Sequence, residues 1–265
     1  MAPKTGQQTA LITGASGGIG LELARVFARN GHDLVLVARN GRRLEEEEIN
    51  LTREFGVAVR TIPHDLSLAS APADIRDRLH ADGVEIGILV NNAGFGAFGT
   101  FKDVDWMTEL EMIQVNMVAL THLTKLFLKD MVERGEGRIL NVASTAAFVP
   151  GPLMAVYYAS KAYVLHFSEA IAHELKGSGV SVSVLCPGPT GTGFQKRAAM
   201  EDSRLASGRK IMSARKVAER GYKGLMAGKT IIIPGLGNKL VAESPRFGSR
   251  AMVTAITKMV QDRQT

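Results

Sequence analysis

One cysteine, one tryptophan and no long apolar run: these scarcities narrow the chain before any motif is read. The single Cys186 excludes an intrachain disulfide and fits a reducing compartment. It stands between the apolar run Val180 to Leu185 and Pro187, a setting for a buried structural thiol rather than a nucleophile. No stretch approaches the roughly 20 apolar residues of a membrane span, and Met1 to Gln8 lacks the apolar core of a signal peptide, so a soluble, cytoplasmic protein is expected. Basic charge is not clustered. Lys and Arg number 32 against 26 Asp and Glu, a net charge of +6, and the two signs intersperse as on a solvated surface rather than a nucleic-acid patch. Metal ligation also lacks its raw material: His166 and His173 share one helical pattern, but no third ligand stands at a suitable spacing, so no metal is expected. Gly228-Lys229-Thr230 resembles the end of a P-loop, yet Lys223 occupies the required upstream glycine position and the strand-like Ile231-Ile232-Ile233 follows where a helix is needed.

What is abundant is apolar residue, 45% of 265, enough for one domain over 1–265 with a substantial core. Strand-like runs at Thr9 to Ile12, Asp33 to Val37, Val57 to Ile62, Ile86 to Val90, Gly137 to Val142, Val180 to Leu185 and Thr230 to Ile233 alternate with helical patterns. Those helices begin near Gly18, Arg42, Ala71, Met107, Met154 and Ala214, an order that implies an α/β protein with a parallel sheet and crossover helices. The run Glu45 to Glu48 reads as the solvated face of the second helix. A segment rich in Gly, Ser and charge, near 189–212, is either a flap over a site or an ordinary surface loop. The extension near 236–264 reads as one or two amphipathic helices, with Leu240, Val241, Met252, Ile256, Met259 and Val260 available for packing.

Four short stretches carry chemistry. Thr13-Gly14-Ala15-Ser16-Gly17-Gly18-Ile19-Gly20 sits between a strand and a helix, where glycines let the backbone approach a pyrophosphate and the helix start offers N–H groups to it. At the end of the second strand, Arg39 stands where an acidic residue would bind a ribose 2′-hydroxyl; the arginine suits a 2′-phosphate, so NADP is expected over NAD. Tyr157 and Lys161 lie four apart and share a helix face. A phenol titrates near 10, so proton transfer near neutrality asks for a downward shift of roughly 3 units, about 4 kcal/mol, part of which a nearby ammonium supplies. Tyr158 competes for that assignment, because it is three residues from Lys161. Ser144, just after a strand, can hydrogen-bond a substrate oxygen.

From Thr9 to about Thr192 the chain resembles the short-chain dehydrogenase/reductase family. The family's T-G-x-x-x-G-x-G falls on Thr13, Gly14, Gly18 and Gly20, its N-N-A-G on Asn91 to Gly94, and its Y-x-x-x-K on Tyr157 and Lys161, with Ser144 thirteen residues before the tyrosine. Pro187, Gly188 and Thr192 fit its P-G-x-x-x-T, Asp65-Leu66 its adenine-contacting pair, and Asn116 its catalytic asparagine. The resemblance implies a Rossmann-type, doubly wound, mainly parallel sheet of about seven strands flanked by helices. It implies cofactor contacts from Gly14, Ser16, Gly18, Ile19, Gly20, Arg39, Asp65, Leu66, Asn92, Ala93, Gly94, Tyr157, Lys161, Pro187, Gly188 and Thr192. Tyr157 would exchange a proton with the substrate oxygen and Ser144 would orient that oxygen. Lys161 would lower the tyrosine's pKa and hold the nicotinamide ribose, and Asn116 would hold a water that relays protons to the lysine. The family's NADP-preferring members often carry a second basic residue where this chain has Gly17.

The implied activity is NADP-dependent interconversion of a carbonyl and a secondary alcohol, in a homodimer or homotetramer. By the same likeness, Phe95, Phe98, Phe148, Met154, Phe194 and Met200 are expected to line an apolar pocket suited to a 3-oxoacyl, steroid-like or aromatic ketone. Lys196 and Arg197 are candidates for meeting an acidic group such as a coenzyme A or carrier phosphate. A nucleotide-sensing protein on the same fold is the alternative, but it would need no tyrosine–lysine pair.

Overall fold

A computed structural model describes residues 8–193 and 211–262; the middle of the expected flap, with Phe194, Lys196, Arg197 and Met200, lies outside the described residues. Each apolar run found in the sequence becomes a strand of one parallel sheet. The strands are β1 (Ala10–Thr13), β2 (Leu34–Ala38), β3 (Val59–Pro63), β4 (Ile88–Asn91), β5 (Gly137–Val142), β6 (Val180–Leu185) and an edge strand, β9 (Ile231–Ile232). Their order is β3-β2-β1-β4-β5-β6-β9, parallel throughout.

Both faces are covered, which is why β1, β2 and β4 are apolar and buried along their length rather than alternating with polar residues. Ala10, Ile12, Leu34 and Leu36 point to one face. There they pack against Leu23 and Phe27 of α1 (Gly18–Arg29), Leu44 and Leu51 of α2 (Gly41–Phe55), and Val217 and Leu225 of α7 (Ala214–Met226). Leu11, Val35 and Val37 point to the other face, against Ile75 and Leu79 of α3 (Ala71–Ala81) and Leu123, Phe127 and Met131 of α5 (Leu120–Arg134). Each such fully buried side chain contributes about 1.5–3 kcal/mol, and the alternation along β1 and β2 fixes which helix goes to which face.

The chain runs outward from β1 through β2 to β3, then returns to place β4 on the other side of β1. The crevice at such a reversal, beyond the carboxyl ends of the strands, is where ligands bind in open α/β sheets. β1 and β4 end beneath it at Thr13 and Asn91, both buried, and the residues that follow them, Gly14 and Asn92, reach it.

Three features depart from the sequence pattern. The helical stretch after β4 is one rod in three parts, α4 (Trp106–Ile113), a π-helical turn over Gln114–Ala119, and α5, and Asn116 sits inside the π turn. The glutamate run is not wholly solvated: Glu47 is buried, facing Arg43 at 3.4 Å and Arg25 at 3.6 Å, because position 47 shares the inward face of α2 with Leu44 and Leu51. The extension forms α8 (Leu236–Glu243), a 3₁₀ turn (Ser244–Phe247) and α9 (Arg250–Gln261), but most of its large apolar residues stay exposed rather than pack. The described ends of the expected flap are joined by a short parallel ladder, β7 (Thr190–Gly191) with β8 (Met212–Ser213). Between α5 and α9, the helix α6 (Ala155–Glu174) completes the elements around the crevice.

Candidate active site

A cavity of about 550 Å³ occupies the crevice. Its walls include Gly14, Ser16, Gly18 and Ile19 from the glycine turn, Arg39 after β2, Asp65 and Leu66 after β3, and Asn92, Ala93 and Gly94 after β4. Ser144 after β5, Tyr157 and Lys161 on α6, and Pro187, Gly188 and Thr192 after β6 complete it. Every site residue expected from sequence therefore meets in one space, except Gly20 and Asn116, which stand behind its wall.

The glycine turn is built for a close approach. Gly14 adopts φ +66°, and a Cβ there would press on Asn92 Nδ2 at 2.9 Å and Ala93 Cα at 3.0 Å. At Gly20 a Cβ would overlap the Gly14 carbonyl oxygen and Asn92 Nδ2, so only glycine lets the turn lie flat on the loop after β4. That loop is pinned by Thr13, whose Oγ1 accepts from the N–H groups of Asn92 and Ala93, both at 3.0 Å, while Asn92 Nδ2 donates to the Thr13 carbonyl at 2.9 Å. Helix α1 starts at Gly17 without a capping side chain, in contrast to α2, where Asn40 caps the Arg43 N–H. Its first-turn donors and dipole thus open onto the cavity beside Gly18 and Ile19, a chemistry that fits a dinucleotide pyrophosphate. Arg39 is half-exposed and lies 3.9 Å from Asp65 on the same rim.

On the opposite side, Ser144 caps a 3₁₀ turn (Thr145–Phe148), accepting from Ala146 N–H at 3.1 Å, and its hydroxyl hydrogen-bonds Tyr157. Tyr158, also on the cavity wall, is buried on the side of Met154 and Phe98, near Gln261 of α9. The hydrogen bond to Ser144 separates the two adjacent tyrosines, and this geometry favours Tyr157 as the one that shares a substrate oxygen with Ser144. Lys161 is buried, with Nζ donating to the Val142 carbonyl at 2.9 Å and lying 5.7 Å from the centre of the Tyr157 ring.

Burial governs the titration of this group. It pushes the Tyr157 phenol above its ordinary value, more than the Ser144 hydrogen bond pulls it down, and Tyr158 adds to the rise. Burial also pushes the Lys161 ammonium down, to about 8. Burial dominates both shifts, and the lowering of Tyr157 expected from Lys161 is not among the causes that set its value here. Tyr157 is accordingly a neutral phenol, ready to give a proton, over the whole neutral range. Cys186, as expected, is a buried free thiol, pushed up to about 12 by burial.

Asn116 is fully engaged in holding the loop after Gly94. Its Oδ1 accepts from Phe95 N–H at 3.1 Å, and its Nδ2 donates to the Phe95 carbonyl and to Ser160 Oγ, each at 3.0 Å. Both amide hydrogens are committed, so a water relay at this position would have to use the remaining lone pair of Oδ1 or the main chain. The sequence marks Thr13 as the start of the glycine motif but not as the pin of the loop after β4, and it does not mark Val142 or Ser160 as part of the site; each acts through a contact between elements distant in the chain. Of the apolar set expected to line the pocket, Phe95 and Met154 do so, Phe98 packs behind against Met154 and Tyr158, and Phe148 joins the core beside Val164 and Leu165, because the 3₁₀ turn points it away from the cavity. Among the described residues no cluster of His, Cys, Asp and Glu could hold a metal ion.

Residues 8–202 match the profile of the short chain dehydrogenase family. The chain is 37% identical over 194 residues to a very-long-chain 3-oxoacyl-CoA reductase of Rattus norvegicus, a match covering 71% of this chain and 60% of the rat protein. A short-chain dehydrogenase from Sphingobium yanoikuyae, solved in complex with NADPH, superposes with a TM-score of 0.82 at 34% identity over 97% of both chains. The bulky-bulky ketone specific alcohol dehydrogenase from Comamonas testosteroni does so with a TM-score of 0.78 at 31% identity, over 92% of this chain and 94% of that one.

Proposed function

The chain belongs to the short-chain dehydrogenase family, and from that premise we propose that it is an NADP(H)-dependent oxidoreductase that interconverts a carbonyl and a secondary alcohol on a hydrophobic substrate. The observation that carries this reading is the hydrogen-bonded pair of Ser144 and Tyr157 hydroxyls beside the buried ammonium of Lys161, in the same cavity as an uncapped, glycine-lined helix start. Gly14, Ser16, Gly18 and Ile19 would hold the pyrophosphate, Asp65 and Leu66 the adenine, and Asn92 to Gly94 with Pro187, Gly188 and Thr192 the nicotinamide half. When bound, the cofactor supplies or accepts the hydride at the carbonyl carbon. In reduction the Tyr157 phenol gives its proton to the substrate oxygen and becomes the phenolate, and in oxidation the phenolate takes a proton from the alcohol. Ser144 donates a hydrogen bond to the same oxygen and fixes its position. Lys161 carries positive charge below a pH of about 8, which favours the phenolate left after proton donation. Asn116 acts at one remove, holding Phe95 and Ser160 so that the wall beside Lys161 keeps its shape.

NADP is preferred because the rim where an adenosine 2′-phosphate would lie carries Arg39, and the Sphingobium relative binds NADPH. Phe95, Met154 and Tyr158 make that side of the cavity apolar, and the relatives act on a 3-oxoacyl-CoA or on bulky-bulky ketones, so a long or bulky apolar ketone is the substrate class. The test is consumption of NADPH and NADH with a panel of 3-oxoacyl thioesters, ketosteroids, aromatic ketones and ketoses, by wild type and Tyr157→Phe. NADPH-linked turnover of the apolar members, abolished in Tyr157→Phe with NADPH binding retained, is the expected result. Turnover surviving in Tyr157→Phe and lost in Tyr158→Phe would overturn the assignment.

A further inference from the structure

The two C-terminal helices carry apolar side chains on the side that faces away from the protein. Each sets a polar residue against the body of the domain, beside the buried Ala242 on α8. On α8, Asn238 stands against Gly188, where a Cβ would overlap its carboxamide. On α9, Gln261 is fully buried against Tyr158. At about 100° per residue the outward faces follow. Leu236 and Leu240 lie opposite Asn238 and are 80% and 72% exposed, and Met252, Ile256 and Met259 form a stripe opposite Gln261, each about half exposed. Phe247, on the turn joining the helices, is 87% exposed. A surface helix ordinarily turns its polar face outward, so a row of leucine, phenylalanine and methionine in that position marks a surface that something covers.

Charge decides what covers it. Lys239, Arg246, Arg250 and Lys258 are all exposed around these residues, whereas the acids of the segment are Glu243, already paired with Arg246 at 2.8 Å, and Asp262. A second copy of the chain placed on this face would set basic side chains against basic ones. We propose that the outer face of α8 and α9 docks on an anionic membrane surface, its apolar side chains entering the headgroup boundary and its lysines and arginines meeting lipid phosphates. No helix among the described residues is long and apolar enough to cross a membrane, so the helices lie in the plane of the surface. Their inner contacts, Gly188 and Tyr158, line the cavity, so docking brings the site close to the lipid; the value of this for an apolar carbonyl carried in the bilayer rests on the function proposed above, while the docking itself does not.

Vesicle flotation of the full chain tests the proposal, with phosphatidylcholine vesicles containing phosphatidylglycerol compared with phosphatidylcholine alone. Binding to the anionic vesicles only, reversed by added salt, is expected. The pair Phe247→Glu with Met259→Glu, and separately Lys239→Glu with Lys258→Glu, should each weaken binding by roughly tenfold or more at unchanged melting temperature. Absence of binding to anionic vesicles, equal binding to both vesicle types, or full binding by either variant overturns the proposal. So does a dimer, seen by light scattering without vesicle binding, that the Phe247→Glu, Met259→Glu protein dissolves, which would assign the face to a second copy. Turnover of a water-soluble ketone in the same samples reports separately on the reductase function.

Discussion

Asn116→Ala removes three hydrogen bonds from a place that water does not reach. The side chain is 1% exposed, and it is the partner of both the N–H and the carbonyl of Phe95, itself 7% exposed, as well as of Ser160 Oγ. Ser160 keeps its bond to the Tyr157 carbonyl at 2.7 Å, so the loss falls on the two backbone groups of Phe95. A buried polar group left without a partner costs about 1–3 kcal/mol, which puts the substitution at roughly 2–6 kcal/mol. For a domain of this size 1 kcal/mol corresponds to roughly 2 °C, so the melting temperature should fall by about 4–12 °C. Asn116→Leu keeps most of the volume and none of the bonds, and should fall nearly as far. In Asn116→Asp a carboxylate oxygen would face the Phe95 carbonyl where Nδ2 now donates, so that variant should be no better. Thermal unfolding followed by circular dichroism measures all three. An Asn116→Ala protein that melts within about 1 °C of wild type would refute the reasoning, and would mean that the asparagine matters only for chemistry.

Lys161 gives the fold a pH dependence with a definite sign. Burial lowers its pKa from 10.5 to about 8, so between those values the unfolded chain holds a proton that the folded chain has lost, and the lysine's contribution to stability rises with pH through that window; below about 8 the cost of the buried charge is present in full. The raised Cys186 thiol acts in the opposite sense above its ordinary value of 9.0, and the raised Tyr157 above 10.0, because in each case the unfolded group ionises first; the net rise therefore falls between about 8 and 9.0. Lys161→Met should remove the rise between pH 8 and 9.0 and leave a decline above 9.0, as measured by denaturant midpoints; an unaltered profile would mean that another group produces it. Gly20→Ala must displace the Gly14 carbonyl or Asn92, and cofactor affinity by calorimetry should drop at least about tenfold, whereas Gly17→Ala, which meets nothing within 4 Å, should leave affinity near wild type. Arg39→Asp should move cofactor preference from NADPH toward NADH by placing a negative charge where the 2′-phosphate would lie, and an unchanged ratio would remove Arg39 from that role.

The α/β fold was written in the order of the elements. Runs such as Leu34 to Val37 are apolar at every position, a pattern only a strand covered on both faces requires, and each strand run is followed by a helical period, which leaves a parallel sheet with crossover helices as the economical solution. The site was legible wherever chemistry needs a specific residue at a fixed local spacing: glycines that let two backbones touch, and a tyrosine and lysine one helical turn apart. Tertiary structure decided the remainder. It chose between Tyr157 and Tyr158 by bringing Ser144, thirteen residues earlier in the chain, to the hydroxyl of Tyr157. It turned Glu47 inward and Phe148 away from the cavity, since a helix or turn carries its side chains wherever packing orients it. It also set the pKa values of Tyr157 and Lys161, because desolvation depends on what surrounds a group in space and not on its neighbours in sequence.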